Sequence, residues 1–428
     1  MRILIVGINY APELTGIGKY TGEMAEWLAT QGHEVRVVTA PPYYPQWRVA
    51  DGYANKWGRE EIQVASGKWQ GKASLLEPCA LNLESVVIYR CPLWVPAKPS
   101  GLKRLIHLAS FAISSFPVML RQILWKPDVV ISIEPPLMCA PVSLVASRLA
   151  GAKAWLHIQD FEVDAAFGLG ILKSDRLRKV VLHIERRLMR SFDRVSTISL
   201  KMLEKLIKNG VESDQAVSFP NWVDLSTIFP LGQESPLRKE LCIPGEKIVA
   251  LYSGNMGEKQ GLEIVLEAAS QLVANSEIQF VLCGGGAARI KLFETYGQLP
   301  NVIWLPLQPL ERLNDLLNMA DIHLLPQRAD VADLVMPSKL TGMLASGRPV
   351  LATAHAGTQV AQVVDTCGKV VEPGDVQGFV QGLLELLHSP QQRTMLGTAA
   401  RQAAHEWDKL TVLRRFESQL YSLCRKSQ

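Results

Sequence analysis

The sequence predicts an α/β protein built from two doubly wound, parallel-sheet domains. Three observations carry this prediction. The chain opens as strand, glycine loop, helix and strand in MRILIVGINYAPELTGIGKYTGEMAEWLATQGHEVRVVTA. A second strand–helix series starts near Lys247, after a stretch dense in proline and glycine. Its 428 residues, 48% of them hydrophobic, suffice for two cores of ordinary α/β size.

The elements follow in order. Arg2 to Gly7 is a short apolar run with the length of a buried strand. A loop with Gly16 and Gly18 leads to a helix from about Lys19 to Thr30, which Gly32 is placed to stop. Val35 to Thr39 completes a βαβ unit. Pro41 to Pro92 is irregular and rich in Tyr, Trp and Gly, and is expected to be an insertion over the ligand end of the sheet. Leu102 to Leu124 is an apolar helix interrupted by His107 and Pro117 and flanked by Lys98, Lys103, Arg104 and Arg121. It fits either a buried helix with a solvated basic end or a helix resting in an anionic membrane surface. Asp128 to Ile133, Lys153 to Ile158 and Arg194 to Ile198 are strands; Cys139 to Ala150 and the basic Leu177 to Arg190 are helices.

Composition shifts at Phe219–Pro220–Asn221–Trp222. This places an N-terminal domain at 1–220 and a C-terminal domain at 221–409, with a last helix in 410–428 returning to the first. In the second domain, Lys247 to Ser253, Gln279 to Cys283, Ile322 to Leu325 and Pro349 to Thr353 are strands, with a further strand near Ile303. Leu262 to Val273 and segments around Phe379 and Arg393 are helical.

Composition also narrows the function classes. A formal charge of only +4 argues against nucleic acid as the main partner. Seven scattered cysteines without a C-x-x-C pair fit a reducing compartment. No D-x-D, H-E-x-x-H or cysteine–histidine cluster calls for a metal, and no G-x-S-x-G elbow is present. The dinucleotide fingerprint fails, because Tyr20–Thr21 stands where its third glycine would fall.

In doubly wound sheets ligands bind at the carboxyl ends of the strands. Gly16 and Gly18 lie there in the first domain, offering backbone N–H groups and a helix N-terminus to an anion. In the second domain Gly254–Asn255–Met256–Gly257–Glu258–Lys259–Gln260–Gly261 occupies the same kind of position and adds a cation, Lys259. Gly284–Gly285–Gly286 lets a base or ribose approach the backbone. Ser338 resembles an N-cap, and Lys339 is placed to reach an anion held there. His157, with Asp160 and Glu162 just after it, forms a polar group suited to orienting a hydroxyl or moving a proton.

Taken together, INYAPELTGIGKYTGEMAEWLA, TAPPYYPQW, LHIQDFEVDA, FPNWVD, YSGNMGEKQGLE and MPSKLTGMLASG resemble retaining glycosyltransferases of GT-B family 4, and within them an enterobacterial colanic-acid branch. The resemblance implies two Rossmann-like domains facing each other across a cleft, and sugar transfer without a metal. It implies a nucleotide-sugar donor, GDP-fucose first and UDP sugars next, held mostly by the second domain. It also implies a glycan or lipid-linked acceptor held by the first domain at the cytoplasmic membrane face. Gly16 and Gly18 would serve the donor phosphates, with Lys19, Tyr20, Asp160 and Glu162 toward the acceptor. His157 would stand near the donor sugar, and Lys259, Ser338 and Lys339 near the phosphates. Two departures from the family pattern stand out, at three positions: Asn255 replaces its usual arginine, and Leu334 and Gly342 replace its paired glutamates, for which Asp330 or Asp333 could substitute. Two other functions suit the same architecture, a nucleotide-sugar epimerase and a non-catalytic, membrane-associated glycan-binding scaffold.

Overall fold

The computed structural model describes residues 1–13, 16–65, 83–97, 100–161, 175–328 and 337–425. The chain divides into two compact units, Met1–Pro220 with Leu413–Gln428, and Asn221–Val412. The second crossing falls at Val412/Leu413, inside a helix Lys409–Arg425 that begins one residue before the expected Leu410.

The first unit is built on an eight-stranded sheet. Its strands are β1 (Arg2–Val6), β2 (Glu34–Thr39), β3 (Gly58–Ala65), β4 (Leu83–Arg90), β5 (Val129–Glu134), β6 (Lys153–Ile158), β7 (Arg194–Thr197) and β8 (Ala216–Ser218). They lie in the order β3-β4-β2-β1-β5-β6-β7-β8, and every pair is parallel except β3–β4. Register is set where Ile3 of β1 meets Val35 of β2 on one side and Val129 of β5 on the other. Every residue of β5 is buried, as a strand covered on both faces requires.

The expectation of an irregular Pro41–Pro92 insertion is corrected. Two strands lie within it, and β4 pairs parallel with β2, Val35 opposite Val86. β3, with the sequence GREEIQVA, closes the edge antiparallel. Its charged residues suit an edge strand, and they also hide it from an apolar-run search.

The first helix starts at Gly16, not near Lys19, and runs to Thr30. Gly32 follows at φ +82°, the left-handed stop that only glycine takes without strain. The Gly101–Ile123 helix contains Pro117 and has an inverted polarity. Its buried face carries His107, Ser114, Ser115 and Gln122 beside Phe111, Val118 and Met119, whereas Leu102, Ile106, Ile113, Phe116 and Leu120 are exposed.

The second unit holds β9 (Ile248–Ser253), β10 (Ile278–Cys283), β11 (Val302–Leu305), β12 (Ile322–Leu325), β13 (Val350–Thr353) and β14 (Gly368–Val371). The order β11-β10-β9-β12-β13-β14 is wholly parallel. The chain winds outward from β9 to β11, then restarts on the other side of β9. That reversal opens a crevice at the carboxyl ends of β9 and β12. Leu266, Phe280, Leu282, Leu324 and Leu351 form the core beneath it; burying each such side chain contributes about 1.5–3 kcal/mol.

Candidate functional site

In the second unit the turns after β9 and β10 interlock at this crevice. Gly254 N–H donates to the Cys283 carbonyl (3.0 Å), and Met256 N–H to the Gly285 carbonyl (2.7 Å). The contact needs glycine: at Gly284, φ +141°, a Cβ would lie 1.9 Å from the Gly254 carbonyl oxygen. A Cβ on Gly286 would meet the Asn255 Oδ1 at 2.5 Å, so Asn255 lies directly over the second turn.

Lys339 enters from the first turn of the Ser338–Ala345 helix. Its Nζ donates to Gln260 Oε1 (3.0 Å) and stands 4.4 Å from the centroid of the Tyr252 ring. Tyr252 Oη in turn donates to the Asn255 carbonyl (2.5 Å). No carboxylate pairs with this ammonium among the described contacts, and burial lowers its pKa to about 7. An enclosed ammonium at a switch point, beside glycine amides and a helix N-terminus, is suited to a phosphate. The N-cap of that helix is Pro337, which corrects the expectation for Ser338; Ser338 is its exposed first residue. The Lys259 side chain lies outside the described residues. Neither Tyr252 nor Gln260 stands out in the sequence as a partner for Lys339: a tyrosine in a buried strand reads as core, and a neutral glutamine beside Lys259 in the loop gives no signal of its own.

In the first unit, His157 sits within β6 and is buried. Its Nδ1 is 2.9 Å from Ser196 Oγ, which also accepts from Trp155 Nε1 (2.8 Å). The imidazole packs on Phe219 (4.9 Å), which stacks on Phe416 of the C-terminal helix (4.2 Å). Burial lowers its pKa to about 3, so the ring is neutral at ordinary pH. Its chemistry there is hydrogen bonding, which suits orienting a hydroxyl better than shuttling a proton.

Asp160 is exposed just beyond β6, whereas Glu162 lies outside the described residues. Gly16 and Gly18 form the first turn of the Gly16–Thr30 helix rather than a free loop. Lys19 pairs with Glu23 (3.8 Å), and Tyr20 is buried. The structure thus gathers Asn255, Gly284–Gly286, Ser338 and Lys339 in the second unit. His157, Asp160 and the Gly16–Tyr20 turn stand at carboxyl ends of the first unit's sheet. No group of three or more His, Cys, Asp or Glu that could hold a metal ion occurs among the described residues.

Residues 15–222 match the family described as Glycosyl transferase 4-like domain, and residues 233–403 match Glycosyl transferases group 1. The colanic acid biosynthesis glycosyl transferase WcaI of Escherichia coli (strain K12) is 44% identical over 427 residues, covering 97% of this chain and 98% of that protein. The chain belongs to GT-B glycosyltransferase family 4.

Solved structures share the fold. Sucrose-phosphate synthase from Thermosynechococcus elongatus superposes with a TM-score of 0.72 over the full length of both chains, at 16% identity. Anabaena HepE, crystallised with UDP-glucose, gives 0.67 at 15% identity over 99% of this chain and 100% of HepE. Asn255, where the resemblance leads one to expect an arginine, is neutral and exposed. At Gly342, where it leads one to expect a glutamate, a Cβ would lie 3.4 Å from Leu317 Cδ1 of the neighbouring helix. Asp330, Asp333 and Leu334 lie outside the described residues.

Proposed function

We propose that this glycosyltransferase moves a sugar from a nucleotide-sugar donor to a lipid-linked or glycan acceptor during assembly of a colanic-acid-type exopolysaccharide. GDP-fucose is the favoured donor and UDP sugars are the alternatives. The relationship to WcaI supports the pathway class, and HepE with its UDP-glucose supports the donor class. The observation that carries the reading is the enclosed Lys339 ammonium beside the glycine turns of the second unit.

The acceptor hydroxyl oxygen bonds to the anomeric carbon on the face from which the diphosphate leaves, with retention. The carbon–oxygen bond to phosphate breaks as its electron pair passes to the diphosphate. The hydroxyl proton goes to the departing phosphate oxygen. No metal takes part; Lys339, Lys259 and backbone amides meet the leaving charge. His157 orients a donor-sugar hydroxyl. The first unit takes the acceptor, and the exposed apolar face of the Gly101–Ile123 helix, with Lys103, Arg104 and Arg121 around it, rests on the cytoplasmic face of an anionic membrane. Among the described residues no helix is long and apolar enough to cross one.

The test is incubation with a panel of GDP- and UDP-sugars and an undecaprenyl-diphosphate-linked acceptor, with and without chelator, followed by mass spectrometry and NMR of the new anomeric centre. A retained linkage formed in chelator is expected. Conversion of donor alone into a second sugar nucleotide would mark an epimerase, and binding without turnover a scaffold.

A further inference from the structure

We propose that Glu13 is a positioning residue of the transfer reaction: a buried carboxylate that locks the N-terminus of the Gly16–Thr30 helix to the loops following β1 and β2. The proposal rests on the reading of that helix terminus as part of the substrate site.

Three segments converge on Glu13. Its Oε2 accepts from Asn9 Nδ2 (2.9 Å), in the loop after β1. Its Oε1 accepts from the N–H groups of Tyr43 (3.0 Å) and Tyr44 (3.1 Å), in the loop after β2. From the other side the helix presses on it. A Cβ added to Gly18 would lie 2.6 Å from Glu13 Oε2 and 2.7 Å from its Cβ. Gly18 is therefore a close-approach glycine, and its partner is this side chain.

Burying a carboxylate is costly unless donors surround it. Glu13 is 6% exposed, and burial raises its pKa, while the Tyr43 and Tyr44 amides, Asn9 and then Arg90 work against that rise. Both oxygens are engaged, which leaves it poorly placed to act as a base toward substrate. An apolar side chain would fill the same space without that cost, but would not fix the Tyr43–Tyr44 backbone. What the acid supplies is geometry. The helix N-terminus, with Lys19 in its first turn, is held to both loops at the carboxyl ends of the central strands, where substrates bind. Misplacing such a group by about 1 Å costs on the order of 100-fold in rate.

The experiment compares Glu13→Gln, Glu13→Ala and Gly18→Ala with the wild type. It uses steady-state transfer with the donor active in the panel, GDP and UDP binding, and amide hydrogen exchange. Glu13→Gln keeps the shape and two acceptor bonds, so kcat falls on the order of 10-fold; Glu13→Ala and Gly18→Ala lose on the order of 100-fold. Nucleotide affinity, carried by the second unit, changes less than about threefold, within the ordinary scatter for independent sites. Exchange speeds up in peptides spanning 16–22 and 41–47 and nowhere else. A folded Glu13→Gln or Gly18→Ala with wild-type kcat and KM overturns the proposal, and so does exchange that is unchanged or raised evenly across the unit. The exchange result stands even if the wild type transfers no sugar, so failure here is separable from failure of the functional reading.

Discussion

Lys339 gives the sharpest prediction, because its ammonium is held at a pKa of about 7 by burial. A phosphate placed against it would favour the charged form and raise that pKa. Binding of a nucleoside diphosphate must then draw a proton from solvent. At pH 8 the free side chain is mostly neutral, so uptake approaches about 0.9 proton per nucleotide; at pH 6 it falls to about 0.1. Over the same range the Lys339 contribution to affinity weakens by about tenfold per pH unit above 7. Titration calorimetry with GDP and UDP, in buffers of different ionisation enthalpy, reads the proton number directly. The nucleotide's terminal phosphate, titrating near pH 6, contributes equally to wild type and to Lys339→Met. Their difference isolates the lysine. A charge-assisted hydrogen bond of about 1.5–3 kcal/mol sets the expected loss in Lys339→Met at about 10- to 150-fold at pH 6, shrinking by about tenfold at pH 8. An affinity gap that is the same at both pH values, with heats independent of buffer, would refute the placement of phosphate on this ammonium.

Three further outcomes follow from the structure. Gly284→Ala places a methyl 1.9 Å from the Gly254 carbonyl oxygen at φ +141°, so the second unit should lose about 2–5 kcal/mol in a urea titration and bind nucleotide weakly if at all. His157 and His323 are both buried with pKa values lowered to about 3 by burial, with Arg348 adding to the effect at His323. The unfolded chain takes up those protons near pH 6.5 and the folded chain does not, so stability is lost as pH falls below 6.5. Each of these two histidines should cost its unit about 1.4 kcal/mol between pH 8 and pH 5.5, and His323→Gln should flatten that slope in the second unit. Charging the exposed helix face with Ile113→Glu and Phe116→Glu should cut co-sedimentation with phosphatidylglycerol vesicles by on the order of tenfold or more, while leaving nucleotide binding unchanged.

How much of this was legible in the sequence depended on how local each signal is. The central strands were readable because a parallel strand covered on both faces writes itself as an apolar run, as in Arg2–Gly7 or Lys247–Ser253. β3 was not, because an edge strand carrying Arg59, Glu60 and Glu61 has no such run, and its antiparallel pairing with β4 is one that no short-range pattern predicts. Lys339 could be placed at a helix start by its context, but its enclosure by Tyr252 and Gln260 arises only when turns far apart in sequence meet.

Glu13 shows the same limit from the other side. Five residues before Gly18, directly after Pro12, an acid reads as a solvated turn residue. The glycine reads as turn or phosphate loop. Only the fold reveals that each explains the other: the helix can approach the loop after β1 because residue 18 has no side chain, and the carboxylate then fills that space while holding the Tyr43 and Tyr44 amides. A glycine in a ligand-binding turn therefore has two physical readings, approach to ligand and approach to protein, and Gly18→Ala separates them. A methyl that blocks only a phosphate should weaken nucleotide binding; one that displaces Glu13 should slow transfer and loosen residues 41–47 while nucleotide binding holds.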